Sequence, residues 1–484
     1  MEMGLGNHKL VFIILVLASV LCSCQPPNVD NDEKVIRDYE EQNIIIPYED
    51  YDVNDQFDDI KNKYSLAEPY SVEADGQDVN VQAYSYKPSD SINTVTFKYC
   101  DLINRAISYK QKYPAAQINI DFAIYKIDKN VYIGFNPKLV SYGKVSGYDH
   151  SGENSEKLIL SVIKAAKFKI NTRFIYHNPS DDMGIRDYLN VYSDDLCIGS
   201  ETEHVSDYLS YKKVSWVEGS SYGQHHNKYL LINYQPQTGP AMLNEVYIAS
   251  ANVDRHDNNG IPIGHEWVQS GILLSGNKGL YDAYLRYFEK IWENTSDRTS
   301  FWNAVRYEGE YNHQNANLNY HDEVFAAYFF PIPSEFNVSA WDTLYNPVAM
   351  VVNDMKNHGY EKEMTINMYH LKTDTFGRRL YDELKGLDNI SIKSSIHRDS
   401  NNLAQVLFRD LGELTWAAPT HAKNYTFIEH LPGGNVYSTI TGSTHGKWDA
   451  YCSKSNNQLH IQETTEPYIH DVFVDIFNYA ASSN

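Results

Sequence analysis

Apolar and polar positions follow two periods along the chain, and these periods predict helices and strands in turn. Helical spacing marks residues 95–113 and 155–167, and a strand-like run follows each of them, at 118–127 and 168–176. This order is typical of a sheet with helices on its faces. The first part of the chain is therefore predicted to be an α/β domain.

The same order of elements occurs a second time. Its members are a helix at 345–357, a strand at 364–371, a helix at 376–387 and a strand at 390–396. Each copy closes with an aromatic amphipathic helix, the first at 280–292 and the second at 468–479. Because one unit recurs, we predict a pseudo-dimer of two similar halves.

These patterns divide the chain into five segments. They are a signal peptide at 1–24, an acidic tether at 25–80, a first half at 81–295, a connecting segment at 296–340 and a second half at 341–484. The connecting segment is assigned from its polar runs and from Pro331 and Pro333.

Composition supports a globular protein with an acidic front segment. The 484 residues are 42% hydrophobic and 13% aromatic, enough to bury one large core or two ordinary ones. Residues 25–60 hold 12 acidic side chains against Lys34 and Arg37, which predicts a solvated tether. The formal net charge of −22 does not favour sequence-independent binding of long nucleic acid, which needs a basic track.

The first 24 residues are typical of an export signal. An apolar run at 10–21 follows His8 and Lys9, and it is too short for a membrane span. The ending Leu-Cys-Ser-Cys resembles a bacterial lipobox, which implies lipid attachment to Cys24. We therefore expect an exported protein that is anchored by lipid in a bacterial cell envelope. The acidic tether resembles the surface-export signal of Bacteroidetes lipoproteins, which favours the outer surface. A plain signal peptide is the alternative.

Cysteine spacing favours neither a disulfide framework nor a metal site. Cys100, Cys197 and Cys452 remain once the signal is removed, so at most one disulfide is possible. The sequence has no CxxC pair and no Cys/His cluster with the spacing of metal ligands. No metal or other cofactor is predicted.

Two short motifs carry the candidate chemistry. An H-x-K triplet occurs at His226 and again at His421, and a serine in a small polar motif follows each of them. The spacing from lysine to serine is 22 positions in the first copy and 20 in the second. On a strand, residues two apart point to one face, so each pair presents an imidazole and an ammonium together. Such a face suits a phosphate group.

With these motifs the chain resembles the phospholipase D superfamily, whose signature is H-x-K-x4-D followed by G-S-x-N. The resemblance covers residues 90–484 and departs from the signature at Asn233, Ala249, Ile428 and His445. It implies an α/β fold of two α/β/α sandwich halves. One active site lies between them, with a histidine and a lysine from each half.

The resemblance also assigns roles to individual residues. It makes His226 the nucleophile and His421 the general acid, although the residues also allow the reverse order. The implied phosphate-binding residues are Lys228, Lys423, Ser250, Asn252 and Ser443, with His445 at the second asparagine position. An acidic residue downstream of each serine orients the histidine of the opposite half in this family. Glu266 fits one such place, toward His421, and Gln458 occupies the other.

A third H-x-K, His445-Gly446-Lys447, is interpreted as coincidental because no serine motif follows it at the repeat spacing.

The predicted function is that of a metal-independent phosphodiesterase that hydrolyses or transfers a phosphodiester through a phosphohistidine. A phospholipid is the expected substrate, since an enzyme tethered to a membrane meets it readily. One alternative is a nuclease of the same superfamily. The other is a degenerate surface lipoprotein that binds phosphate-bearing ligands without turnover. No protein partner is inferred.

Overall fold

A computed structural model describes most of the two predicted halves. The described residues are 70–74, 76–87, 95–127, 158–177, 197–198, 200–216, 223–239, 241–253, 267–307, 320–332, 340–398 and 403–483. The predicted signal peptide with Cys24, the tether up to residue 69 and Glu266 lie outside them.

The described residues form eighteen strands and nine α-helices. The strands are β1 (Tyr70–Ala74), β2 (Gln77–Tyr86), β3 (Gln117–Ile124), β4 (Asn171–Tyr176), β5 (Cys197–Ile198), β6 (Ser200–His204), β7 (Leu209–Lys213), β8 (Lys228–Gln235), β9 (Leu243–Ala249), β10 (Gln269–Ser275), β11 (Tyr320–His321), β12 (Phe325–Phe330), β13 (Lys362–His370), β14 (Ile390–Arg398), β15 (Glu413–Trp416), β16 (Lys423–Leu431), β17 (Gly434–Gly442) and β18 (Asn456–Glu463). The helices are α1 (Val95–Lys112), α2 (Leu158–Lys167), α3 (Lys278–Glu293), α4 (Arg298–Tyr307), α5 (Pro347–Met355), α6 (Thr375–Lys385), α7 (Leu403–Leu411), α8 (Trp448–Cys452) and α9 (Tyr468–Ser482).

Two eight-stranded sheets repeat one strand order. The first runs β1-β2-β10-β9-β8-β3-β4-β7 and the second β11-β12-β18-β17-β16-β13-β14-β15. Neighbours are antiparallel in both sheets except at the β3-β4-β7 end and its counterpart β13-β14-β15, where they are parallel. This correspondence, strand by strand, confirms the predicted pseudo-dimer of two α/β halves.

Three apolar cores hold the two sheets and their helices together. The first core joins α1 and α2 to the outer face of the first sheet, and the third joins α5 and α6 to the outer face of the second sheet. The middle core lies between the two sheets and contains residues of α3 and α9 together with residues of both sheets. Because the first sheet is covered on both faces, its central strands β8, β9 and β10 are buried almost throughout. All of β8 is buried except Gln235.

The central helices cross between the halves. Helix α3, which closes the first half, packs against β9 of its own sheet and β12 of the other. Helix α9, the last element of the second half, packs against β2 and β10 of the first sheet as well as β16 and β17 of its own. The two halves therefore share one interior.

Most predicted elements are confirmed, but two boundaries are corrected. The segment 296–340 was expected to connect the halves, yet its strands β11 and β12 belong to the second sheet. The segment 25–80 was expected to be a tether, yet it contains β1 and the first residues of β2. Both errors have one cause: the apolar pattern of these edge hairpins is short, and polar residues surround it.

Within the described part of the chain, no helix is both long enough and apolar enough to cross a bilayer.

Candidate active site

The two H-x-K segments are held by matching backbone contacts between the halves. The amide of His226 donates to the carbonyl of Ser455 (2.8 Å), and the amide of His421 donates to the carbonyl of Val268 (2.9 Å). The backbone of each H-x-K triplet is thus hydrogen-bonded to the opposite half. The strand that begins at the lysine of the triplet follows directly. This crossing brings the two motifs to a single site between the sheets.

The imidazole of His226 is fixed in one tautomer by two acceptors. Its Nδ1 lies 3.0 Å from the carbonyl oxygen of Ser443 and 2.9 Å from Oδ1 of Asn456. Because both partners accept, Nδ1 carries the hydrogen and Nε2 keeps its lone pair. The ammonium of Lys228 lies 3.2 Å from that Nε2. His226 is therefore held as a neutral imidazole whose Nε2 lone pair faces a positive charge.

His421 has a similar environment with the halves exchanged. Its Nδ1 accepts from the ammonium of Lys423 at 3.1 Å, and its ring donates to the backbone carbonyl of Ser250. Lys423 also donates to that same carbonyl at 3.1 Å. Trp267 and Tyr369 enclose the ring, with centroid distances of 5.6 Å and 4.3 Å. Each histidine thus depends on the serine motif of the opposite half.

Burial and positive charge set the protonation of both histidines. Lys228 and Lys423 are fully buried. Burial lowers the pKa of His226 and His421 well below the usual range, and the neighbouring ammonium groups lower it further. Both imidazoles are therefore neutral at pH 7 when no ligand is bound. A bound anion offsets the lysine charges and raises the pKa of both rings.

The serine motifs end β9 and β17 next to the histidines. The hydroxyl of Ser250 donates to Oε1 of Gln269 (2.7 Å), and the hydroxyl of Ser443 donates to Oδ1 of Asn456 (3.2 Å). Both serines and Asn252 are buried. Each hydroxyl oxygen also accepts from a backbone amide, that of Ser270 at 2.9 Å and that of Asn457 at 3.1 Å, so both serines are held beside the histidines.

His445 lies beside both catalytic candidates. Its ring centroid is 5.0 Å from that of His226 and 6.2 Å from that of His421. Burial lowers its pKa well below the usual range, and Lys423 is the next cause. Its Nδ1 has no hydrogen-bond partner among the described residues. His445 stands where the signature G-S-x-N has its asparagine in the second copy. It is a third neutral imidazole, and it can donate to a phosphate oxygen as an amide does.

One orienting residue differs from the prediction, and the other prediction is not tested by the described residues. Gln458 was expected to orient His226, but its Nε2 donates to the hydroxyl of Tyr451 instead, and Asn456 contacts His226. Asn456 and Gln458 point to the same face of β18, one pleat apart, so the prediction chose the right face and the wrong residue. Glu266, expected to orient His421, lies outside the described residues, and Gln269 contacts the serine motif there.

Sequence reasoning also missed a pair of tyrosines. Tyr125 directly follows β3, and Tyr369 stands at the equivalent position of β13, next to the residue that pairs with Lys423. The ring of Tyr125 lies 4.9 Å from that of His226 and 5.4 Å from the ammonium of Lys228. Each His-Lys pair is thus covered by one tyrosine. A repeat alignment that included the end of β3 and β13 would have found them.

A carboxylate at position 456 is expected to change the basicity of His226. In Asn456→Asp the Nδ1 hydrogen of His226 would face a negative charge, which favours the imidazolium and raises its pKa. NMR titration of the histidine ring signals measures the shift directly. Gln269→Glu is the matched variant from the other half, and because it places a carboxylate beside Ser250 and Lys423 it should raise the pKa of His226 by less than Asn456→Asp does. An unchanged His226 pKa in Asn456→Asp would contradict the described contact.

Among the described residues, no three His, Cys, Asp or Glu side chains form a group that would hold a metal ion.

Solved structures similar to this chain include three enzymes. Polyphosphate kinase from Porphyromonas gingivalis is 10% identical, with a TM-score of 0.46 over 82% of this chain and 50% of that protein. A mutant of yeast tyrosyl-DNA phosphodiesterase is 8% identical, with a TM-score of 0.37 over 72% and 82%. Phosphatidylserine synthase from Haemophilus influenzae is 9% identical, with a TM-score of 0.43 over 82% and 88%. This chain spans half the length of the polyphosphate kinase.

No protein-family model matches the chain, and no curated protein matches it significantly. The likenesses to these three enzymes lie between 8% and 10% identity and concern the fold alone. The chain itself has paired H-x-K motifs and two similar halves around one site. The reaction and substrate of this chain must therefore be inferred from the geometry of its own site.

Proposed function

We propose that this protein is a metal-independent phosphodiesterase that works through a phosphohistidine. One observation carries the proposal: two buried His-Lys pairs, one from each half, meet in a single site. A phosphodiester carries one negative charge and resists attack by nucleophiles. Two lysines neutralise its oxygens, and two histidines supply the nucleophile and the proton.

The first step transfers the phosphoryl group to His226. Its Nε2 lone pair attacks phosphorus, a P–N bond forms, and the bond from phosphorus to the leaving oxygen breaks. Charged His421 gives its proton to that oxygen. Because the free site holds His421 neutral, the anionic substrate must raise the pKa of this ring as it binds between Lys228 and Lys423.

The second step returns the enzyme to its first state. His421, now neutral, takes a proton from water, and the water oxygen attacks phosphorus as the P–N bond breaks. The hydrogen on Nδ1 of His226 is held throughout by the carbonyl of Ser443 and the amide of Asn456. An alcohol in place of water would give transfer instead of hydrolysis.

The proposed substrate is a phospholipid, and this part of the proposal depends on the lipid anchor expected at Cys24. An enzyme held at a membrane encounters lipid diesters at high local concentration. Vesicles of defined phospholipids and short oligonucleotides, offered separately, distinguish a lipid diesterase from a nuclease. Preferential cleavage of the oligonucleotides would reject the phospholipid and leave the diesterase reaction standing.

The direct test is hydrolysis of bis(p-nitrophenyl) phosphate by the full chain in EDTA. We expect turnover in EDTA, because the two lysines and not a metal neutralise the phosphate. The double variant His226→Ala/His421→Ala, purified in the same way, measures any contaminating activity. If turnover requires an added metal, or if the double variant is equally active, the proposal is wrong. If neither this diester nor the two substrate panels is cleaved while phosphate still binds, the protein is a phosphate-binding surface protein.

A further inference from the structure

Two further lysines, Lys454 and Lys447, lie near His226 and His445. Lys447 follows His445 by two positions, and Lys454 directly precedes Ser455, whose carbonyl holds the amide of His226. The side chain of Lys454 is only 6% exposed and that of Lys447 11% exposed. The triplet His445-Gly446-Lys447, interpreted from sequence as coincidental, therefore contributes both its imidazole and its ammonium group to the region of the site.

The ammonium groups of Lys447 and Lys454 share one carboxylate oxygen. Lys447 lies 3.4 Å and Lys454 3.3 Å from the same Oδ2 of Asp449. The other oxygen of Asp449 has no hydrogen-bond partner among the described residues. A further carboxylate, that of Asp374, accepts from the backbone amides of Trp448 and Phe376. Two buried positive charges thus share one negative charge, an arrangement that favours binding of a second anion.

The electrostatic surroundings agree with this geometry. Burial and, next, the charge of Lys447 lower the pKa of Lys454 to about 8, against the opposing charge of Asp449. Lys454 in turn lowers the pKa of His226, and Lys447 lowers that of His445. The extra charges therefore act on the same imidazoles that receive the phosphodiester.

We infer that Lys447 and Lys454 form a second anion subsite, which binds a phosphate group of the substrate other than the one that is cleaved. This inference rests on the proposed function. The four lysines Lys228, Lys423, Lys447 and Lys454, with Asp449, give the described site a charge of about +3, whereas one phosphodiester carries about −1. A substrate with a second phosphate matches that charge better than a simple diester does.

The second phosphate has two possible chemical sources. It can be linked directly to the first, as in a diphosphate, or it can be separated from it by a sugar or glycerol unit. Pyrophosphate represents the first arrangement and thymidine 3′,5′-bisphosphate the second. Inorganic phosphate and thymidine 3′-phosphate are the corresponding probes with a single phosphate.

Isothermal titration of the full chain in EDTA with these four probes tests the inference. We expect at least one bisphosphate probe to bind about ten- to a hundred-fold more tightly than its single-phosphate counterpart, as charge-assisted contacts would predict. Lys454→Met and Lys447→Met should each remove that preference while phosphate itself still binds. Lys385→Met, which changes an exposed lysine paired with Asp410, should keep it.

The outcomes separate this inference from the function on which it rests. If phosphate binds but neither bisphosphate probe is preferred, or if the preference survives in both lysine variants, the second subsite is rejected and the diesterase proposal stands. If wild-type protein binds none of the four probes, the proposed function and the subsite both fail. Because Lys447 is the less buried of the two, Lys447→Met provides the decisive comparison should Lys454→Met fail to fold.

Discussion

His421→Ala is expected to trap a covalent phosphoryl group on His226 when bis(p-nitrophenyl) phosphate is the substrate. The p-nitrophenolate ion leaves without needing a proton, so the first step survives the loss of the general acid. The second step needs His421 to take a proton from water, and it should become very slow. We expect a burst of one p-nitrophenolate per active site, followed by steady-state turnover reduced on the order of 10⁴- to 10⁶-fold.

Rapid mixing measures the burst, and intact-protein mass spectrometry measures the added nitrophenyl phosphoryl group. His226→Ala should show neither, because the attacking nitrogen is gone. His430→Ala, which changes a partly exposed histidine of β16, is the control and should retain full turnover. A burst in His226→Ala and none in His421→Ala would reverse the two roles. Full turnover in either variant would contradict the two-histidine mechanism.

Lys228→Met should lower kcat by about 10²- to 10³-fold while leaving the protein at least as stable as wild type. The ammonium of Lys228 lies next to Nε2 of His226 and is fully buried, so it acts where charge develops on the phosphate. Methionine fills a similar volume without the energetic penalty of burying a charge. A purely structural lysine would show the opposite result, with stability lost and kcat preserved.

Steady-state kinetics and thermal unfolding of the same preparation measure both quantities. Lys423→Met is the matched variant from the second half and should behave alike, and Lys385→Met should match wild type in kcat. The substitution also removes one of the charges that lower the pKa of His226, so that pKa should rise in Lys228→Met. A normal kcat in Lys228→Met would remove this lysine from the phosphate site.

Much of the fold could be predicted because the chain contains it twice. Helical and strand periods recurred in the same order, and the paired motifs placed one half against the other. The hairpins β1-β2 and β11-β12 were missed for a local reason. Phe325–Phe330 is an apolar run of only six residues between polar segments and Pro331, and such a run resembles a connection when no partner strand is visible.

The details of the site depend on contacts that no single segment encodes. Asn456 orients His226 because the bridge between His225 and Ser455 fixes where β18 begins. That bridge joins residues 230 positions apart, and spacing within one half gives no sign of it. Tyr125 and Tyr369, two of 39 tyrosines, are distinguished only when the two halves are aligned at the ends of β3 and β13. Lys454 is likewise recognised as a candidate site residue only because the structure buries it beside Lys447.

The position of α9 has a consequence for the order in which a ribosome delivers this protein. Strands β2 and β10 are complete well before α9 is made, and α9 packs against the inner face of their sheet. Until α9 emerges, this apolar face lacks its cover, so a ribosome-bound chain that has not reached residue 468 should be prone to aggregation. The carbonyl of Ser443 and the amide of Asn456 are made before α9 but long after His226, so the site also assembles late in synthesis.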